Sequence, residues 1–196
     1  MSHRLLRDAR VYGVLFQIDQ DLAAEAGAGG CPCGGRLHSA RYRRKPRCGL
    51  DVDRVDRDYA IRFSFCCDRD GCRRRLTPPS VRFLGRRVYL SVVVLLIAVF
   101  AESATPARQR RLRQVVGDVS PRTVARWQRW WREAFPQTPL WIESRGRFAV
   151  PVSTERLPGS LLEQFLDSDM VTRVVALLRW LSPITVPSTA PPERRS

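Results

Sequence analysis

Two short cysteine segments constrain this chain more than any other feature of its sequence. Cys31 and Cys33 lie in CPCGG (31–35), and Cys66, Cys67 and Cys72 lie in FCCDRDGC (65–72). Pro32 and the paired glycines favour a tight turn that turns two sulfurs toward one point, and Gly71 stands beside the last cysteine. Between them, RLHSARYR (36–43) and YAIRFSF (59–65) read as strands, because apolar and polar residues alternate. Two cysteine turns separated by a β segment predict a zinc ribbon. Four thiolates around a tetrahedral Zn2+ form a closed structural site with no place for a catalytic water.

The expected ligands are Cys31, Cys33, Cys67 and Cys72. Neighbouring residues of a strand point to opposite faces, so only one of Cys66 and Cys67 can bind, and the other packs as a small apolar group. His38 is an alternative ligand, and Cys48, in RKPRCGLD, is expected to stand aside. The spacing departs from the usual ribbon, with one residue between the first pair and four between the second. A reducing compartment favours metal over disulfides for such cysteines. The start, MSHRLLRDARVYGVLF, is broken by charges and lacks the apolar core of a signal peptide, so a cytoplasmic protein is expected.

Charge is the second constraint. The chain carries 34 Lys+Arg against 19 Asp+Glu, a formal net charge of +15 over 196 residues. Lys45 is the only lysine, as GC-rich coding would produce, so arginine usage alone does not argue for phosphate recognition. Its distribution does. Residues 36–90 hold sixteen basic against six acidic residues, and residues 104–134 hold eight against two, while the remainder is nearly neutral. Basic blocks of this kind favour polyanions through counterion release, which makes double-stranded DNA the first partner to expect.

The second block, PARQRRLRQVVGDVSPRTVARWQRWWREAFP (106–136), is punctuated like two helices. The first ends at Gly117, Ser120 is an N-cap, and Pro121 takes the first helical position. The second should run from Pro121 to about Ala134 and stop before Pro136. A three-residue turn after a glycine predicts a helix-turn-helix. Leu112, Val115, Val116 and Val119 would pack against Val124, Trp127 and Trp131. Arg122, Thr123, Arg126, Gln128 and Arg129 would face the major groove, where arginine can bond both acceptors of guanine. Arg108, Arg110, Arg111 and Arg113, with Arg43, Arg44 and Lys45 of the first block, would meet phosphates.

The fold class expected is therefore α+β: a small β zinc ribbon, a mainly helical helix-turn-helix region and a C-terminal helix. The boundaries are an N-terminal helical segment at 1–30, a ribbon-like domain at 31–86 and a helical region at 87–135. A C-terminal segment at 136–182 and a disordered Pro/Ser/Thr-rich tail at 183–196 follow. PLWIES and RFAVPVS, within 137–159, read as strands or extended segments, and Leu161 to Phe165 starts a helix. Met170 to Leu181 is amphipathic, capped by Ser168 or Asp169, with Val171, Val174, Val175, Leu178 and Leu181 on a face that either completes the core or forms a homodimer.

The apolar run from Val88 to Ala101 is shorter than the roughly 20 residues of a spanning helix and reads as a core helix rather than a membrane segment. No zinc-deaminase motif, H-E-x-x-H, phosphate loop, dinucleotide fingerprint or nucleophile elbow is present, so catalysis is not expected.

CPCGGRLH, RYRRKPR, RFSFCC with Cys72, and RRRLTPPSVRFLGRRVYL together resemble a family of small bacterial proteins that accompany mobile elements. They are also similar to the zinc-ribbon and helix-turn-helix front ends of insertion-sequence transposases, over about residues 31–135. The resemblance implies DNA binding in transposition or its regulation, with a transposase or another mobile-element protein as partner. Such enzymes carry three acidic residues on a nuclease-like fold. Here 61 residues follow Phe135, and Glu143, Glu155, Glu163, Asp167 and Asp169 form no recognisable triad, so the binding half without the cutting half is expected. Two other readings remain: a ribbon that holds a protein partner, membrane-associated through residues 88–101, and an RNA-binding protein that stacks bases on Tyr42 and Phe63.

Overall fold

The computed structural model describes residues 8–44, 57–83, Val94, 120–167 and 169–186. Over these the chain is a mixture of helices and small antiparallel sheets, an α+β architecture. Helix α1, Ala9–Ala28, starts where the Asp8 side chain accepts the Arg10 N–H, and it passes into Gly29 and Gly30, the latter at φ +67°. Val11, Tyr12, Leu15, Asp19 and Ala23 form its buried stripe, at the three- and four-residue spacing of one helical face.

The β region differs from the sequence expectation in two respects: Tyr59 and Ala60 lie in a 3-10 turn, Arg57–Ala60, rather than in a strand, and the strands are broken. Each expected long strand is split: β1 (Leu37–Ser39) and β2 (Tyr42–Arg43) on one side, β3 (Ile61–Arg62) and β4 (Phe65–Cys67) on the other. The register nonetheless continues, with Ser39 opposite Phe65 and Tyr42 opposite Arg62. The ladder opens where Phe63 turns inward between two guanidiniums, with the Arg41 and Arg82 carbons 5.1 and 5.2 Å from its ring centre. Strand β5, Arg75–Leu76, adds to β4, giving the sheet order β1-β4-β5.

The second expected helix starts where the Ser120 cap and Pro121 predict. Ser120 accepts the Thr123 N–H, Pro121 occupies the first turn, and α2 runs Pro121–Arg129. It does not continue as an α-helix to Ala134. Trp130–Ala134 forms a wider turn closed by the Phe135 N–H on the Trp130 carbonyl, followed by a 3-10 turn at Phe135–Gln137. Trp127, Trp131 and Phe135 are all buried, and the rings of Trp131 and Phe135 lie 4.9 Å apart. The first helix of the expected pair (106–116), with Arg108, Arg110, Arg111, Arg113, Gly117 and Val119, lies outside the described residues, as do Lys45 and Cys48. Of the apolar run 88–101 only Val94 is described, helical and buried in the same core.

PLWIES is a helix rather than a strand. Thr138 caps α3, Pro139–Ser144, by accepting the Trp141 N–H, and Pro139 takes the first turn; the cap outweighs the β-branched and aromatic content. RFAVPVS begins on the last residue of a 3-10 turn, Arg145–Arg147, and is irregular beyond it. Short helix α4, Gly159–Leu162, precedes α5, Met170–Leu181, whose N-cap is Asp169. Val174, Leu177, Leu178 and Leu181 of α5 are buried, and Val171 and Val175 pack against the same core, so this face serves the interior of the chain. The segment expected as a disordered tail begins with an ordered turn, Ser182–Thr185. Buried Thr185 accepts the Ser80 N–H at 2.8 Å, a contact that composition cannot signal.

An ion pair ties these parts together at the centre. Asp19 of α1 and Arg82 are both fully buried and meet at 2.8 Å. The carboxylate also accepts the Ser80 hydroxyl and the Val81 N–H. The Arg82 guanidinium donates to the Tyr59 and Ile61 carbonyls and lies over the rings of Phe16, Tyr59, Phe63 and Phe83. Its hydrogen bonds and aromatic surround make this charge tolerable in the interior.

Candidate metal centre

The two cysteine segments converge. The sulfurs of Cys31, Cys33, Cys67 and Cys72 all lie within 4.8 Å of one another and can hold a metal ion. Cys33 Sγ is 3.4 Å from Cys31 and 3.5 Å from Cys67, and Cys31 is 3.7 Å from Cys72. A tetrahedron built with metal–sulfur bonds of about 2.3 Å has edges of about 3.8 Å, so the separations suit one ion at the centre. They are far too long for S–S bonds.

Local backbone geometry produces this convergence. In the first segment the Gly34 N–H closes a turn on the Cys31 carbonyl at 2.8 Å, and Gly34 takes φ +80°, a conformation that favours glycine. In the second, Cys67 ends β4, Gly71 also takes φ +80°, and the Cys72 N–H returns to the Arg69 carbonyl at 3.1 Å. A two-residue step therefore chelates on one side and a five-residue step on the other. Departure from the usual spacing is absorbed by the two positive-φ glycines.

Backbone N–H groups surround the sulfurs. The Gly35 N–H donates to Cys33 Sγ at 3.4 Å. That contact first, then the neighbouring Cys72 and Cys31 thiols, brings Cys33 down to about 6. Cys67 goes the other way. The Arg69 N–H pulls it down, but burial and the other three thiols push it up to about 12. Cys31 is also raised: the Cys33 N–H favours its thiolate, but burial and the Cys33 and Cys72 thiols outweigh that help. Cys33 thus favours its thiolate, whereas Cys31 and Cys67 must release protons as a metal binds.

Cys66 stands outside the cluster, contacting the carbonyls of Cys67 and Arg73 at 3.7 and 3.8 Å. The choice between adjacent cysteines falls as strand alternation requires. His38 lies outside the tetrad: its Nε2 is 3.2 Å from the Asp68 carboxylate, and its strand position faces Cys66, not Cys67. Asp68 was not anticipated from the sequence. It accepts the Arg36 N–H at 2.9 Å and donates its own N–H to the Arg36 carbonyl at 3.0 Å, joining the two cysteine segments. His38 first, with the Arg36 N–H, holds its carboxyl below the usual range. Arg69 makes a second link through a hydrogen bond to the Cys33 carbonyl. The available signal was position, since both residues directly follow Cys67.

On α2, Arg122, Arg126 and Arg129 are exposed while Trp127 is buried, Gln128 is half-buried, and the Thr123 hydroxyl lies 3.1 Å from the Ser120 hydroxyl within the cap. Arg43 is exposed on β2, and Arg44 lies over the Tyr42 ring at 5.1 Å. Phe63 is buried, which removes it as a platform for RNA bases. Among the described residues no helix is long and apolar enough to cross a membrane. No protein-family model, curated protein or solved structure matches this chain, and nothing in those comparisons indicates a transposase-like family.

Proposed function

We propose that the chain is a zinc-dependent binding protein for double-stranded DNA, acting without catalysis as an accessory or regulatory protein of a mobile element. The observation that carries the reading is the sulfur tetrad. Four thiolates in a tetrahedral arrangement suit Zn2+, and a site filled by four protein ligands stabilises a fold rather than activating water. The DNA assignment is supported by the exposed arginines near the tetrad and on α2. In a helix-turn-helix reading α2 is the recognition helix, with Arg122 and Arg126 toward base edges and Arg129 toward phosphate. The mobile-element assignment rests on the sequence motifs alone, and with it go a transposase as partner and a nucleoid location.

The test is metal analysis of the purified chain together with duplex binding across salt concentrations. Expected are one zinc per chain and an affinity that falls steeply with salt. A zinc-loaded chain that binds no duplex in a salt-sensitive manner overturns the proposal.

A further inference from the structure

Two exposed arginines lie on the sheet whose strand β4 ends in Cys67. In the β1-β4-β5 sheet, His38 lies opposite Cys66 and Cys66 opposite Arg75. Residues directly opposite one another share a face, so these three form one row. Arg36, two residues before His38 and hydrogen-bonded across to Asp68, begins the next row of the same face. The other face carries Phe65, whose ring lies so near α1 that a Cβ on Gly27 would meet it at 3.2 Å. One face is therefore covered by α1, and the other presents Arg36, His38 and Arg75, all exposed.

The acids on this side are already engaged. Asp68 is taken by His38 and the Arg36 N–H, and Asp70 pairs with Arg73 at 3.1 Å. Among the described residues the Arg36 and Arg75 guanidiniums have no carboxylate partner within ion-pair distance. Strands spaced about 4.8 Å apart place β1 and β5 roughly 10 Å from each other, comparable with a major groove about 12 Å wide. Arg36 and Arg75 each follow a cluster cysteine by three residues, Cys33 and Cys72, so closing the metal site fixes where both side chains start.

We infer that the outward face of the β1-β4-β5 sheet, through Arg36 and Arg75, is a docking surface for the phosphate backbone of duplex DNA. This rests on the DNA-binding reading and names the residues beside the tetrad that, together with α2, meet the duplex. Each guanidinium neutralises one phosphate, so removing both lowers the magnitude of the slope of log K against log salt by about 1.8. At 0.1 M salt that corresponds to about 60-fold weaker binding.

The experiment uses the full zinc-loaded chain, a fluorescent duplex and anisotropy titrations from low to high salt. The double variant R36A/R75A is compared with R36K/R75K and with R126A/R129A. Expected are unchanged zinc content in all three, the loss of slope in R36A/R75A, and near-complete retention in the lysine pair, which keeps the charge. A zinc-loaded R36A/R75A chain with parental slope and affinity overturns the inference, and loss in R126A/R129A alone would then place DNA on α2. Absence of salt-sensitive duplex binding by the parental chain overturns the DNA reading itself and the inference with it.

Discussion

Gly35→Ala tests the metal centre without removing any sulfur. Gly35 is absent from the chain's positive-φ residues, so alanine meets no backbone penalty there, and its effect comes from the added methyl. A Cβ at Gly35 would sit 2.5 Å from Cys67 Sγ and 2.9 Å from Arg69 Cβ. Ordinary contact begins near 3.5 Å, so the sulfur must recede by about 1 Å. Metal–ligand distances tolerate only about 0.2 Å, and Cys67 then leaves the coordination sphere or the two segments separate.

Disturbing the surround of a metal ligand commonly weakens binding by 10- to 100-fold. Displacing a ligand sulfur should reach at least the upper end, about 100-fold, or about 2.7 kcal/mol. Zn2+ affinity is measured by competition with a chromophoric chelator, alongside the circular dichroism of the helices. Gly34→Ala is the comparison: nothing lies within 4 Å of its added carbon, but φ is +80°, so it strains the turn by about 1–2 kcal/mol without touching a sulfur. Gly35→Ala binding within about threefold of the parent would refute the argument, because the Cys67 sulfur could not then lie where the close approach places it.

Further outcomes follow from the same structure. Serine replacing Cys31, Cys33, Cys67 or Cys72 should abolish stoichiometric zinc, whereas Cys66→Ser retains it; metal analysis of the five variants decides, and zinc loss in Cys66→Ser alone would reverse the strand parity. Asp19→Asn leaves the fully buried Arg82 guanidinium without its countercharge and should cost about 3–5 kcal/mol in urea unfolding; a cost below about 1 kcal/mol would show that the ring and carbonyl contacts suffice.

Alkaline titration should expose the buried tyrosines. Burial raises Tyr12, and Tyr59 well above its ordinary value, with Arg82 opposing the latter only in part. In the unfolded chain both lose their protons first, near pH 10, so the folded state binds more protons there and stability falls with rising pH. The contribution is complete below about pH 10 and is lost as pH rises toward the folded values. Tyrosinate absorbance that develops before unfolding would contradict this.

What could be read in the sequence was what neighbours along the chain decide. The Ser120–Pro121 cap, the inward Trp127 and Trp131, the Asp169 cap and the apolar stripe of Met170–Leu181 all depend on spacings within one or two helical turns. The four clustered cysteines were legible too, because alternation along a strand excludes one of an adjacent pair and glycine marks each turn. The same local rules misread PLWIES, where an N-cap and a first-turn proline outweighed β propensity, and they ran α2 past the aromatic-rich turn at Trp130–Ala134.

Only the tertiary structure decided the rest. It gave His38 to Asp68, bent the ladder around Phe63, buried Asp19 against Arg82 and drew Thr185 onto Ser80, a partner 105 residues away. None of these pairings has a local signature. A buried carboxylate or guanidinium reads in sequence as a surface charge until the folded chain supplies its partner, because the cost of burying it is offset by groups that local spacing does not select.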